Sequence, residues 1–521
     1  MDLFGTAGIR GDARERVTPE LALAVGRAIG IDASKAGTEN ESGTRKGESD
    51  SRAGVVLARD GRTTGPALGA ALEAGIESAG VRVYRAGVLP TPALASASRG
   101  RRGVMVTASH NPPTDNGIKC FADGEEYDRE EERRIEERVA ARIEPTTWEA
   151  WSDSERIEPL SRYRAAVAEY ARGHGAALDG LSVVVDCANG VSGLATPQIL
   201  RALGAEVLTL HANVDGSFPG RPSKPTEETL TDLRAFLADR PNAVAGETGE
   251  TGSRGAKADE ESPAGSERAI DLAIAHDGDG DRIVVLDGEG EIVHEDTIVA
   301  ILAEHYVRAS DAGDPVVVTT PNASSRIDER VRAAGGRVER VRLGALHEGI
   351  ATARANGTEE TSVVFAAEPW KHLHTGFGPW IDGVASAAVL ARLVADRGLD
   401  LLRGPVTERP YRKTELECPD DRKKAAMDRL ETALPAAFPD ATVRTEHGIR
   451  LDLGGKERDG QTSTGTGDDE GGDAVEDGWI LVRPSGTEPY LRVYVESESV
   501  GVVLDRVREV LTRAIDDADG E

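Results

Sequence analysis

The sequence predicts an α/β protein with several mostly parallel sheets and a smaller α+β unit at its C-terminal end. Three observations predict it. Short apolar runs of strand type recur with helical patterns between them, as βα units around parallel sheets require. From about residue 404 the pattern changes to paired strands and a closing helix. A length of 521 residues allows roughly three or four domain-sized cores.

The elements follow in order. Gly54–Ala58 reads as a strand, followed by a helical pattern from Pro66 to Ala79 and a second strand at Val81–Tyr84. Val104–Val106 is another apolar run. Leu181–Asp186 reads as a strand leading to a helix that ends near Leu203-Gly204. Ile283–Leu286, Pro315–Val318 and Ser362–Phe365 continue the series. Ile480–Val482 and Leu491–Val495 read as paired strands, and Val503 to Ala518 as the last helix. The segments Asp32 to Arg52, Gly246 to Arg268 and Gly455 to Asp477 are rich in Gly, Ser, Thr, Asp and Glu. They have too little apolar surface to offset ordering entropy and are expected to be solvated insertions.

Composition narrows the function classes. The net charge is −29, with 91 acidic residues against 62 basic ones, of which only 10 are Lys. Self-repulsion of this size opposes a compact fold at low ionic strength, whereas molar salt shortens the Debye length to about 3 Å. A salt-adapted, halophilic cytoplasmic protein is therefore expected. No dense basic stripe appears, which disfavours nucleic-acid binding. No apolar stretch has spanning length, and no secretory signal is read at Met1–Gly5, so neither a membrane nor export is expected. Cys120, Cys187 and Cys418 are far apart and in no metal spacing, which fits a reducing compartment.

Two motifs carry most of the chemistry. Thr107-Ala108-Ser109-His110-Asn111-Pro112 places a hydroxyl beside an imidazole just after an apolar strand. Proline disfavours helix in the residue before it, so the strand should give way to a loop in which Ser109 can meet substrate. His110 is a candidate to position that serine or move a proton. Asp277-Gly278-Asp279-Gly280-Asp281-Arg282 sets three carboxylates at alternate positions, with glycines that let the loop turn them onto one ion. Hard oxygens suit Mg²⁺ or Ca²⁺. An EF-hand would need a glutamate where Gly288 stands and a helix where a strand pattern follows, so an enzyme Mg²⁺ site is the preferred reading. A nucleophile and a hard-metal site in one chain suggest metal-assisted chemistry on a phosphate.

Three further loops are suited to anions or sugars. Arg483-Pro484-Ser485-Gly486-Thr487-Glu488-Pro489 joins a guanidinium to hydroxyls and an exposed backbone turn, a combination that suits a phosphate. In Gly5-Thr6-Ala7-Gly8-Ile9-Arg10-Gly11, glycines allow close backbone approach and Arg10 can reach an anion. Glu368-Pro369-Trp370-Lys371-His372 sets a carboxylate, an aromatic face, a cation and an imidazole after a strand. That set suits sugar hydroxyls, or an aromatic packing loop.

With these five motifs in this order, the chain resembles the α-D-phosphohexomutase family over nearly its whole length. Its relatives include phosphoglucomutase, phosphomannomutase and phosphoglucosamine mutase. The resemblance implies three similar mixed α/β domains and a C-terminal α+β domain around a central cleft. The boundaries expected here are 1–158, 159–287, 288–403 and 404–521. It implies that Ser109 is phosphorylated and that Mg²⁺ sits on Ser109, Asp277, Asp279 and Asp281. Arg10, His110, Lys119 and Arg282 match positions around the phosphoryl group, and Lys119 is chosen as proton acceptor on one side. Glu368 and His372 match the sugar loop, and Arg483, Ser485, Gly486 and Thr487 match the loop for the phosphate that is not transferred. The implied reaction moves a phosphoryl group between the 1- and 6-positions of a hexose or hexosamine phosphate through a sugar bisphosphate. A phosphatase-like hydrolase and a non-catalytic sugar-phosphate sensor are the alternatives.

Two loops depart from the family pattern. The family's sugar loop reads Gly-Glu-x-Ser-Gly-His, whereas Trp370 and Lys371 stand here in place of its serine and glycine. The loop Leu343–His347 lacks the Asp or His common after its glycine. The wording of the other motifs leans toward the phosphoglucosamine mutase branch, with glucose or mannose phosphates as the alternative.

Overall fold

The computed structural model describes residues 3–5, 8–36, 54–239, 269–453, 478–485 and 488–517. By their contacts they form two compact units, Met1–Ile298 with Pro369–Arg403, and Val299–Glu368 with Gly404–Glu521.

The first unit opens with β1 (Ile9–Asp12), α1 (Pro19–Ala36), β2 (Val55–Arg59), α2 (Gly65–Ser78), β3 (Val83–Val88) and α3 (Thr91–Ala97). It continues through β4 (Arg102–Val106), β5 (Asp115–Ala122), β6 (Glu125–Glu126), α4 (Arg129–Ala140) and β7 (Ser154–Arg156). These strands form one sheet in the order β1-β5-β4-β2-β3-β7, with β6 beside β5. Strand β2, Val-Val-Leu-Ala-Arg, is buried along nearly all its length, as a central parallel strand covered on both faces must be. Strand β3 starts two residues later than the sequence predicts, because Arg82 contributes only its carbonyl, to the Val55 N–H.

A second sheet follows. Its elements are α5 (Leu160–Arg172), β8 (Ser182–Asp186), α6 (Thr196–Ala202), β9 (Glu206–Leu210), α7 (Thr231–Ala238), β10 (Leu272–Ala275), β11 (Val284–Leu286) and β12 (Ile292–Val293). The strand order is β12-β11-β10-β8-β9, so this sheet runs past the expected boundary at 287. Helix α8 (Glu295–Arg308) then leads into the second unit.

The two sheets of the first unit share one local plan. In the first, β2 and β4 are parallel and β5 returns antiparallel on β4. In the second, β8 and β10 are parallel and β11 returns antiparallel on β10. In each, the loop at the carboxyl end of the parallel strand before that reversal carries a chemical motif: Thr107–Pro112 after β4 and Asp277–Arg282 after β10. Strand ends of this kind are where open α/β sheets build their sites.

The second unit begins with β13 (Asp314–Thr319), α9 (Ser325–Ala333), β14 (Arg337–Arg340), α10 (Leu346–Asn356) and β15 (Thr361–Glu368). Strand β13 lies between β14 and β15, parallel to both. The chain returns to the first unit for β16 (Lys371–Leu373), α11 (Gly383–Arg397) and α12 (Leu399–Arg403). Helix α11 is buried from Gly383 to Val394, as a helix made largely of Ala, Val and Leu should be. Asp382 caps it, accepting from Ala385 N–H at 2.8 Å, Tyr163 Oη–H at 2.8 Å and Trp380 Nε1–H at 2.9 Å.

The chain closes with β17 (Tyr411–Glu417), α13 (Asp420–Ala437), β18 (Thr442–Arg444), β19 (Ile449–Leu453), β20 (Gly478–Pro484), β21 (Tyr490–Ser497) and α14 (Val500–Asp516). The strands form an antiparallel sheet in the order β17-β21-β20-β19-β18. Its inner face, with Ile480, Val482, Leu491, Val493 and Val495, packs on Leu430, Val507 and Leu511 of the two helices. This is the α+β unit that the sequence predicts.

The first expected insertion is corrected at its start. Asp32 is buried near the end of α1 and takes Arg102 at 2.8 Å and Arg138 at 3.0 Å. Its cations come from β4 and α4, far along the chain, so a local composition window counts it as solvent-facing. Most of that segment, and the segments 246–268 and 455–477, lie outside the described residues.

Helices α1 and α2 approach closely at glycines. A Cβ on Gly75 would stand 2.3 Å from Leu23 O and 2.8 Å from Arg27 N. Gly→Ala in a helix normally stabilises by about 1 kcal/mol. Here the sign should invert: Gly75→Ala is expected to cost about 1–3 kcal/mol through overpacking against backbone. A urea melt of the variant checks this.

Candidate active site

Ser109 is fully buried and its backbone is left-handed, with φ 51°. A non-glycine residue takes that shape only where its surroundings hold it. Its N–H donates to Thr107 Oγ1 at 2.9 Å and its hydroxyl to Asp277 Oδ2 at 2.6 Å. His110 Nδ1 lies 3.4 Å from the same hydroxyl. Gly278 permits this approach, since a Cβ there would meet Ser109 O at 2.6 Å. The structure thus joins the two motifs that the sequence holds about 170 residues apart.

Asp277, Asp279 and Asp281 are buried and offer carboxylate oxygens that all lie within 4.8 Å of one another. Lys119, from β5, sits 2.6 Å from Asp281 Oδ2 and 3.2 Å from Asp279 Oδ2. Thr91 at the start of α3 donates its hydroxyl to Asp279 Oδ2 at 2.7 Å and its N–H to Asp279 O. Arg282 Nε is 3.8 Å from Asp277 Oδ2 and 3.9 Å from Asp281 Oδ1. Among the described residues, Asp279 Oδ1 and Asp281 Oδ1 are buried without a hydrogen-bond partner. Buried acceptors normally find partners. Hard oxygens, two of them unpaired, on a loop that gathers three carboxylates fit a divalent cation.

The electrostatics are those of a crowded anionic site. Burial, then the neighbouring Asp281 and Asp279, push Asp277 well above the carboxylate range. Burial also raises Asp281, but Lys119, Arg282 and Lys371 outweigh it and hold that carboxyl ionised. Burial would discharge Lys119, yet Asp279 and Asp281 keep its ammonium charged. Lys119 is therefore held as a cation in this arrangement of carboxylates. Burial, then Arg282 and Arg10, lower His110 to about 2, so it is neutral beside Ser109. Arg10 lies on β1, opposite Gly117 of β5.

The loop expected to face a sugar divides between the units. Glu368 ends β15 in the second unit and accepts from Gly344 N–H at 2.6 Å, tying its loop to Leu343–His347. In the first unit Trp370 has φ 70° and packs against the core of the second sheet. Its carbonyl accepts from Ile283 N–H at 3.1 Å, and the Lys371 backbone forms an antiparallel bridge with that of Arg282. Trp370 therefore anchors the loop to the strand after the aspartates. His372 is buried, and its Nδ1 lies 3.0 Å from Ser386 Oγ, with His374 Nε2 at 2.8 Å from the same oxygen. Ser386 donates to Asp382 O at 2.8 Å, so both imidazoles donate to it. Burial lowers His372 to about 3.

In the second unit Arg483, near the end of β20, stands directly opposite Arg492 of β21. Like charges in that position repel, and tyrosines fix them: Arg483 donates to Tyr494 Oη and Arg492 to Tyr490 Oη, both at 2.9 Å. Ser485 is buried and accepts from Glu488 N–H at 3.2 Å. Lys423 Nζ, from α13, donates to Ser485 O at 2.7 Å and Glu488 O at 2.5 Å, clasping the turn. Gly486 and Thr487 lie outside the described residues.

Several residues of these clusters escape sequence reasoning. Arg492 and Lys423 become visible only through strand register and helix packing. Asp60 and Arg62 follow β2 directly, so the strand-end rule that singles out Ser109 applies to them too. Arg221 bonds Asp186 at 2.7 Å and the carbonyl of His276 at 2.7 Å, bracing the aspartate loop. Its only local signal is the polar Gly- and Pro-rich run Asp215–Pro222.

The comparisons with known proteins agree with this geometry. Residues 1–145 match the family model "Phosphoglucomutase/phosphomannomutase, alpha/beta/alpha domain I" and 161–290 match domain II, while 473–513 match the C-terminal domain. A phosphopentomutase of Thermococcus kodakarensis is 37% identical, covering 95% of this chain and 94% of its own. A probable phosphoglucosamine mutase of Methanopyrus kandleri is 35% identical, covering 98% and 97%. Among solved structures, a phosphoglucomutase/phosphomannomutase family protein of Burkholderia thailandensis shares the fold, with TM-score 0.75, 24% identity, and 98% and 97% of the two chains covered. The N-acetylphosphoglucosamine mutase of Aspergillus fumigatus, solved with GlcNAc-6P and magnesium, shares it at TM-score 0.52, with 15% identity and 99% and 96% covered. With a hydroxyl set on a carboxylate triad and relatives of this identity along almost its full length, the chain belongs to the phosphoglucomutase/phosphomannomutase family, the α-D-phosphohexomutases, and is an isomerase of the phosphomutase type.

Proposed function

We propose that the chain moves a phosphoryl group between the 1- and 6-positions of a hexosamine or hexose phosphate, with Ser109 as the carrier. The observation that carries this reading is the buried Ser109 hydroxyl 2.6 Å from Asp277, inside a ring of carboxylates and cations. Phosphoserine gives its phosphoryl group to one hydroxyl of a sugar phosphate: the Ser109 O–P bond breaks and a sugar O–P bond forms. The sugar bisphosphate turns around, and its other phosphate returns to Ser109. Lys119, Arg10 and Arg282 bring positive charge to the moving group, where preorganised charge lowers the barrier. His110, neutral and 3.4 Å from the serine oxygen, is placed to position it. Asp277, Asp279 and Asp281, with the phosphoryl oxygen on Ser109, would hold Mg²⁺, which when bound offsets charge on that group. Arg483 and Ser485 are assigned to the stationary phosphate, and Glu368, Lys371 and His372 to the sugar.

Glucosamine phosphate is the favoured substrate, supported by the motif wording and by relatives named probable phosphoglucosamine mutases. A pentose phosphate is the second reading. It is favoured by the 37% identity to a protein named phosphopentomutase and by the departures at Trp370 and Lys371. The test is a panel of glucosamine, glucose, mannose and ribose 1-phosphates in molar salt. The isomerised phosphate marks a mutase and free phosphate a hydrolase, while no turnover would leave a sensor. Ribose turned over faster than every hexose would overturn the hexosamine assignment.

Ser109→Ala should fold normally and lose turnover by several orders of magnitude. Asp281→Ala should weaken Mg²⁺ binding, read by titration calorimetry, together with turnover. Wild-type turnover in either variant would remove that residue from the scheme. Arg483→Ala should raise KM for every sugar phosphate alike, through loss of a charge-assisted contact worth about 1.5–3 kcal/mol. Lys371→Gly should instead reorder the sugars.

We also propose that the acidic surface is an adaptation to salt in a reducing cytoplasm, where three free cysteines would stay reduced. Salt screens repulsion in the compact state and weakens substrate contacts as well, but the enclosed contacts are screened less. The melting temperature should rise from low salt to molar KCl. A flat or falling melting temperature would refute the adaptation.

A further inference from the structure

Arg62 is fully buried and uses all five of its side-chain N–H donors on the serine loop and one carboxylate. Its Nε donates to Asp60 Oδ2 at 3.1 Å. One terminal nitrogen donates to Pro112 O at 2.5 Å and Asp115 O at 2.9 Å. The other donates to Ser109 O at 2.9 Å and Asn111 O at 2.8 Å. The Phe218 ring covers the guanidinium, 5.0 Å from its carbon. Asp60 also accepts from Thr107 Oγ1–H at 2.7 Å, and that Thr107 oxygen receives the Ser109 N–H at 2.9 Å. Both backbone polar groups of Ser109 are thus fixed by one connected network, the carbonyl by Arg62 directly and the N–H through Thr107 and Asp60.

The network faces a specific task. Ser109 is left-handed, a conformation that a serine adopts at some cost unless its surroundings impose it. That conformation aims the hydroxyl at Asp277. During turnover the serine oxygen gains and loses a phosphoryl group, so its bond to Asp277 cannot hold the loop throughout. Arg62 contacts the loop only through carbonyl oxygens and never through the serine side chain. Its grip is therefore independent of whether Ser109 carries phosphate. A planar fork with five fixed donors suits four converging carbonyls and a carboxylate, and a lysine ammonium with three donors cannot replace it.

We infer that Arg62, oriented by Asp60 and backed by Phe218, is a positioning residue that keeps Ser109 in its left-handed conformation in both the phosphorylated and the free state. It acts on the rate of phosphoryl transfer and not on sugar-phosphate binding. This inference rests on the reading of Ser109 as the phosphoryl carrier.

The experiment uses the full chain in molar KCl. Arg62→Lys keeps the charge and is compared with Arg392→Lys, which removes another buried arginine that caps the carbonyls of Arg172, His174 and Gly175 in the same unit. Melting temperature, kcat, KM and the fraction of Ser109 phosphorylated by glucose 1,6-bisphosphate, read by intact mass, are measured for each. Arg62→Lys should lower kcat and the phosphorylation rate by about 100-fold, the loss a misplacement near 1 Å produces. Its KM should stay within about threefold, as expected when only the transition state is affected. Arg392→Lys should lose melting temperature without that loss of kcat. The inference is overturned if Arg62→Lys keeps wild-type kcat and phosphorylation, if its loss appears in KM, or if Arg392→Lys loses as much kcat. Ser109→Ala separates the two levels: turnover retained there refutes the carrier itself, whereas a dead Ser109→Ala with a fully active Arg62→Lys refutes only the positioning role.

Discussion

The constraint on which the rest of the first unit depends is the burial of three carboxylates within 4.8 Å of one another. Carboxylates this close repel, and burial removes the water that would screen them. Such a cluster persists only where cations and hydrogen bonds are built around it. Lys119 supplies the nearest charge, Arg282 the next, and Thr91 and Ser109 the donors. Those partners come from β5, the aspartate loop itself, α3 and the serine loop. The two sheets of the first unit are therefore held in one relation by the site's own electrostatics. A buried charged cluster of this kind adds little net stability. It specifies where two loops must meet.

That meeting is prepared by backbone topology. Both motif loops sit at the carboxyl end of a parallel strand whose successor turns back antiparallel. The reversal leaves each loop short and anchored at both ends by ladder hydrogen bonds. Close approach then needs residues without side chains, which is the role of Gly278 against the Ser109 carbonyl and of Gly190 against the Gly278 carbonyl. Second-layer arginines complete the arrangement. Arg62 gathers the carbonyls of the serine loop, and Arg221 ties Asp186 to the carbonyl that precedes Asp277. Arginine recurs because its fork can bind several carbonyls while remaining charged in a dry environment.

The second unit gathers its cations differently. Its cations lie on the face of a sheet opposite α13 and α14, as an in-register arginine pair steadied by tyrosines, with Lys423 clasping the neighbouring turn. Repulsion between Arg483 and Arg492 is then relieved by any anion that binds beside both. In a chain with a net charge of −29, two arginines and a lysine are thus gathered around one turn.

The sequence by itself determined the fold class, the positions of most strands and the identity of the two central motifs. Those features are local: an apolar run, a period, a loop of Gly and Asp. Ser109, His110 and the three aspartates could be read because their chemistry is spelled in consecutive residues. It also located the loops at Glu368–His372 and Arg483–Thr487, though not what each side chain faces. Tertiary structure decided that Trp370 leans into a core, because its orientation follows from a left-handed backbone and a bond to Ile283, neither of which a motif encodes. It decided that Asp32 is a buried ion-pair member, because its arginines lie on β4 and α4. It decided that Lys119 is a cation, since its charge state depends on aspartates about 160 residues away. Roles that rest on long-range charge, register or close approach belong to the folded chain, because the groups that set them are neighbours only in space.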